Sequence, residues 1–197
     1  MNRRFLPYCP ILASFLIAGC WSASTFEPPV AKTNPNPTQR YEITVELVDP
    51  PPDIRQISGV AHFGVGTRAC LPYQEKIARV TIGTSYKREI ALIRVSGNTY
   101  KGHIFLDWPI DEDYYGLGVC KWELGYVDTT LTRSNDFLQI ARLSAAKLIS
   151  ASEITAYCRE KMRDEFDKAC LTPSDGARAK ELDLTSYLVN VTPSRMD

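Results

Sequence analysis

The stretch Val119–Val127 alternates with period two: Cys120, Trp122, Leu124 and Tyr126 share one face, and Lys121, Glu123 and Gly125 share the other. A helix would scatter these residues around its circumference, whereas a strand sends successive side chains to opposite faces. The segment therefore reads as a half-buried strand. A cysteine two positions from a tryptophan, both facing inward, suits a core in which a disulfide packs against an aromatic ring. Such a strand needs a second layer to cover its apolar face, and the rest of the chain repeats the same pattern.

Tyr41, Ile43, Val45 and Leu47 alternate with Glu42, Thr44 and Glu46. Asp49-Pro50-Pro51-Pro52 then ends the run, because proline has no N–H to give to a ladder. Ile57–Val65 places Ile57, Ala61, Phe63 and Val65 on one face, and Gly64-Val65-Gly66-Thr67 reads as a strand end or bulge. Ile77–Ile82 predicts a short strand, and Tyr86–Val95 predicts one strand that turns at Ser96-Gly97-Asn98 into a hairpin with Tyr100–Trp108. Phe137–Leu148 stays open, since Phe137, Ile140, Leu143 and Ala146 also suit helical spacing. Glu153–Cys158 and Tyr187–Thr192 complete the strands, with the mixed-charge segment Arg159–Ala169 between them as a turn of helix or a loop. Roughly nine short strands punctuated by turns predict a mainly β fold. The expected form is an antiparallel β-sandwich, immunoglobulin-like only in the loose sense, or a barrel, with one or two short helices.

Cysteine usage points to an oxidising compartment. Cys70, Cys120, Cys158 and Cys170 form an even set apart from the N-terminal Cys9 and Cys20. Of the three possible pairings, Cys70–Cys120 with Cys158–Cys170 is expected. The local pair carries its own test: a straight helix over 158–170 would hold its ends ~18 Å apart, whereas a disulfide needs Cα atoms within about 7 Å. No CxxC or HxxxH spacing occurs, so neither a metal nor another cofactor is expected.

Two histidines, His62 and His103, fall inside expected strands and read as strand-face residues rather than as a base or ligand. With no nucleophile elbow, HExxH or P-loop present, no catalytic residue and no enzymatic activity are assigned. The most distinctive surface feature is the loop Asp107-Trp108-Pro109-Ile110-Asp111-Glu112-Asp113-Tyr114-Tyr115-Gly116. Aromatic side chains anchor interfaces and carboxylates steer basic partners, and loops on a rigid body commonly carry binding. Asp107, Trp108, Asp111, Glu112, Asp113, Tyr114 and Tyr115 are therefore the expected protein-binding residues. The competing readings are a solvated loop pinned by its aromatics and a Ca²⁺ site lacking EF-hand spacing.

The N-terminus supplies an address. Arg3 and Arg4 precede an apolar run from Phe5 to Ile17, followed by Ala18-Gly19-Cys20. The run is shorter than the ~20 residues of a spanning helix. This layout resembles the lipobox of bacterial lipoproteins, and the resemblance implies cleavage before Cys20, which carries lipid. The expected division is a signal peptide over 1–19, a lipidated cysteine and Pro-rich tether over 20–40, and a β domain over 41–197. The whole chain carries 23 basic and 23 acidic residues; losing 1–19 removes only Arg3 and Arg4, leaving a net charge of −2. No basic run marks a nucleic-acid partner. Trp21 in place of Asp after the cysteine resembles the pattern of outer-membrane lipoproteins, so the expected location is the envelope, at the outer membrane facing the periplasm.

In overall build, and in its C-x-W-x-L strand after an acidic, aromatic loop, the chain loosely resembles immunity lipoproteins, which protect bacteria from effectors secreted by neighbours. The resemblance implies a protein partner, a secreted toxin acting on the envelope, and transfers no residue roles. The alternative class is a structural or adaptor lipoprotein of an envelope or secretion assembly.

Overall fold

A computed structural model describes residues 26–75, 80–134, 138–159, 170–171 and 187–196. Among the described residues it is mainly β, with antiparallel sheets, one short α-helix and no closed barrel. The strands are β1 (Arg40–Val48), β2 (Ile54–Val65), β3 (Tyr73–Glu75), β4 (Val80–Thr81), β5 (Tyr86–Ile90), β6 (Ile93–Ser96), β7 (Thr99–Phe105), β8 (Trp122–Arg133), β9 (Leu138–Ser144), β10 (Ile154–Cys158) and β11 (Tyr187–Arg195). A five-stranded sheet in the order β10-β11-β1-β7-β6 faces a four-stranded sheet in the order β5-β2-β8-β9, and β3 pairs with β4 alone. A short α-helix, α1 (Ala145–Ile149), follows β9, with the Ser144 hydroxyl accepting from Lys147 N at its start.

One core joins the two large sheets. Ile43, Val45, Ile104, Val189 and Val191 come from the first, and Ala61, Phe63, Leu124, Val127, Leu131 and Leu143 from the second. The alternation of β1 appears directly as burial, with Tyr41, Ile43, Val45 and Leu47 all inside.

Two local expectations are corrected and one open reading is resolved. The run 86–95 is not one strand. β5 pairs with β2 in the second sheet, the chain crosses at Ala91-Leu92, and β6 pairs with β7 in the first. Glycine makes this corner possible: a Cβ on Gly102 would stand 2.8 Å from both Ile90 Cγ2 and Leu92 Cδ2 and 2.9 Å from the Ala91 carbonyl.

In β8 the alternation breaks at Gly125. His62 faces Tyr126 while Phe63 faces Leu124, so one extra residue sits on β8 as a bulge. Cys120, Trp122 and Leu124 face inward as expected, but Tyr126 turns outward to stack on His62 and Val127 takes the inner position. Finally, the ambiguous stretch after residue 137 is strand through Ser144 and helix only from Ala145. Phe137 and the charged segment 160–169 lie outside the described residues, as do 77–79, the first half of the strand expected over 77–82, whose second half contains β4.

Both disulfides pair as expected. Cys70–Cys120 has a Cα separation of 5.3 Å and Cys158–Cys170 one of 4.5 Å. The first does not pack on Trp122. It forms its own small cluster with Leu71 and Ile82, flanked by Tyr114 and Tyr115, while Trp122 belongs to the main core.

Candidate binding groove and its rim

Residues 26–39 do not stand clear of the body as a tether. They run back along the loop that follows β7: Leu106 N donates to Gln39 O, Asn34 N to Trp108 O and Ile110 N to Lys32 O, at 2.7–3.0 Å. Thr33 and Pro109 form an antiparallel bridge. Asp107 locks the junction, because its two carboxylate oxygens accept from Thr38 N at 2.8 Å and Gln39 N at 3.0 Å. Burial alone would raise this carboxyl, but the Thr38 and Gln39 N–H groups outweigh it and hold Asp107 below its ordinary value.

A group with a depressed folded value adds stability above its unfolded value near 4 and loses it as pH falls through the lower, folded one. Asp107→Asn is therefore expected to flatten the acid limb of the stability curve below about pH 4. At neutral pH it should cost about 1–3 kcal/mol, because Asn keeps one, now neutral, acceptor oxygen and turns an NH2 donor toward the other backbone N–H. Urea midpoints measured from pH 7 down to pH 3 check both parts.

The expected binding loop divides into two halves with different neighbours. Trp108 is core, against Phe63 and Phe105 at ring separations of 6.4 and 5.5 Å, and offers no surface. Asp111 Oδ1 accepts from Trp122 N at 2.8 Å, which ties the loop to the start of β8. Tyr114 donates to Ile110 O and accepts from Trp122 Nε1 at 3.2 Å. The later acids are spent locally: Glu112 pairs with Lys32 at 2.7 Å, and Asp113 Oδ1 accepts from Tyr115 N and Leu117 N in a turn that holds Gly116 and Gly118 at positive φ. Tyr115 donates to Glu27 O at 2.7 Å. The half from Glu112 to Tyr115 thus faces the N-terminal segment across a smaller cavity of about 390 Å³, and Asp107, Pro109, Ile110 and Asp111 border a larger one.

That space is a groove of about 840 Å³, within the size range of ligand and docking pockets. Leu106, Pro109 and Ile110 form one wall and Ala145, Ala146 and Ile149 of α1 the other, with Trp122 and Leu124 between them. The charged residues lining it are Asp107, Asp111 and Glu123, all acidic. Sequence reasoning found the loop wall and missed the helix wall. Its one signal was Ser144 before Ala145-Ala146-Lys147, a helix start hidden in a segment whose first half is strand.

Both histidines are partnered, and neither lines this groove. His62 stacks on Tyr126 at 4.4 Å with its Nε2 3.3 Å from Asp128 Oδ2. The same carboxylate takes two hydrogen bonds from Arg142, whose guanidinium lies 3.8 Å over the Tyr126 ring. Burial pushes the His62 imidazole below its ordinary value, against the pull of Asp128. His103 on β7 accepts at Nε2 from Arg40 at 2.7 Å. Among the described residues, no group of three His, Cys, Asp or Glu side chains is arranged to hold a metal ion.

Comparison with known proteins finds no matching family model, no matching curated protein and no matching solved structure.

Proposed function

We propose that this chain is a lipid-anchored envelope protein that binds and blocks a secreted toxin acting on the envelope, docking a basic surface of that toxin into the groove between the 106–111 loop and α1. The observation that carries this reading is the groove itself: an apolar floor with three acidic lining residues, held on a disulfide-bonded β body. Apolar surface supplies the affinity and carboxylates select a cationic partner and speed its approach. The two disulfides suit an oxidising compartment. Cys20 provides the anchor, with the outer membrane facing the periplasm as its site.

The test uses the oxidised mature chain to capture partners from envelope extract and culture supernatant, followed by assay of what is captured. A single stoichiometric hydrolase or lipase that loses turnover when bound supports the proposal. Ile149→Lys puts a cation at an exposed position on the groove wall. It should weaken that complex at least about tenfold, by like-charge repulsion and lost apolar contact. Undiminished binding would move the site elsewhere, and a set of envelope-machine subunits would favour the adaptor class instead.

A further inference from the structure

We propose that the end of the sandwich nearest the N-terminus is a membrane-contact surface, on which Phe26, Val30, Leu117 and Val119 enter the headgroup region of the bilayer that anchors Cys20. The inference rests on the lipid-anchor reading above and adds to it an orientation and a surface.

These four side chains are exposed by 42%, 85%, 52% and 53%, and they are gathered at one place. The Phe26 ring meets the edge of Tyr115 at 6.2 Å, and the Tyr115 hydroxyl donates to Glu27 O. Asp113 holds Leu117 N, and the positive φ angles of Gly116 and Gly118 form the tight turn that presents Leu117 and Val119 outward. Immediately beyond, Cys120 is bonded to Cys70, which leads into the antiparallel pair β3 and β4 with its own exposed Tyr73 and Val80. Six of the ten large exposed hydrophobic residues among the described ones therefore belong to segments joined at this end. Single exposed apolar residues need no account, but a clustered set marks a contact surface.

The length of chain before Phe26 identifies the occupant. Six residue steps separate Cys20 from Phe26, and an extended chain covers at most about 20 Å in that distance. The body is longer: β8 alone has twelve residues, which extend over about 40 Å. A lipidated Cys20 therefore brings this end to the bilayer, while the turn at Gly97-Asn98 lies at the opposite end, where Asn98 O accepts from Leu47 N. Apolar and tyrosine side chains are the residues that favour the interface, and their burial there adds a second attachment to that of the acyl chains.

The experiment uses the full chain processed in a lipoprotein-producing bacterium, with mass measurement of the N-terminal peptide to establish acylation of Cys20. The protein is reconstituted in phosphatidylethanolamine–phosphatidylglycerol vesicles, with p-benzoylphenylalanine at Leu117 or Val119, or at the comparably exposed Ile93 or Val95 of β6. Photolysis should join lipid to positions 117 and 119 at least about tenfold more than to 93 and 95, as expected for side chains held in the interface. Equal yields at both ends, or adducts to a second copy of the chain in place of lipid, would overturn the surface while leaving the anchor standing. An unacylated Cys20 would overturn the anchor, and the surface with it.

Discussion

Alanine in place of both Cys70 and Cys120 is expected to destabilise the oxidised chain by about 4 kcal/mol, against about 3 kcal/mol for the Cys158/Cys170 pair, on the chain-entropy account of cross-links. The difference comes from loop length, with sequence separations of 50 and 12. The first bridge also has the larger structural charge. Cys70 and Cys120 are buried to 2% and 0% exposure in a cluster with Leu71 and Ile82 that stands apart from the main core. Too few apolar residues surround that cluster to hold it without the cross-link. Losing the bridge should therefore loosen residues 66–82 and 112–120 before the two large sheets part. Urea midpoints for the two double variants measure the energies. Amide exchange, enhanced first in those two segments, measures the order of events. Equal costs for the two pairs would mean that loop entropy is not the governing term.

How much of this was legible in the sequence depended on whether a signal was local. The alternation of β1 and the cysteine set each state a preference that neighbouring residues do not contradict, and fold class and pairing followed from them. The errors arose where a tertiary contact decided the outcome. In β8 the apolar neighbours Tyr126-Val127 leave open which of the two faces inward, and the pairing with His62 and Phe63 reveals the extra residue that turns Tyr126 outward. In 86–95 nothing local marks the crossing between sheets; the sign lies at Gly102, on another strand, where a Cβ would strike Ile90 and Leu92. The candidate site was half legible for the same reason. Acids and aromatics at 107–115 announced a loop of consequence, but composition cannot say that Asp107 and Asp111 both accept from backbone N–H groups and border a groove, while Glu112 and Asp113 do not line it. The prolines of residues 20–40 suggest a tether, yet residues 26–39 of that segment pair with the loop by backbone hydrogen bonds, which proline-rich composition does not forbid.

Trp122→Ala is expected to cost about 4 kcal/mol, the usual scale for removing a large aromatic side chain from a packed core. The indole is 6% exposed and lies within 6.4 Å of the rings of both Tyr86 and Tyr114. It also donates from Nε1 to the Tyr114 hydroxyl, which itself donates to Ile110 O, so one side chain links the core to the loop wall of the groove. Trp122→Phe separates these roles. It keeps an aromatic ring in the core but removes the donor, and should cost about 1–2 kcal/mol for the lost bond and the smaller volume. If the groove is the docking site, Trp122→Phe should still weaken partner binding about tenfold, because a loop wall no longer held by Trp122 must be ordered on association. Urea unfolding of both variants, together with the affinity of the captured partner for Trp122→Phe, tests the argument. A Trp122→Phe chain that is nearly as stable as the parent and binds equally well would show that the 106–111 wall is held without Trp122, or that the partner docks elsewhere. Ile149→Lys on the facing wall then distinguishes these two outcomes, since only a partner seated in the groove responds to a charge on α1.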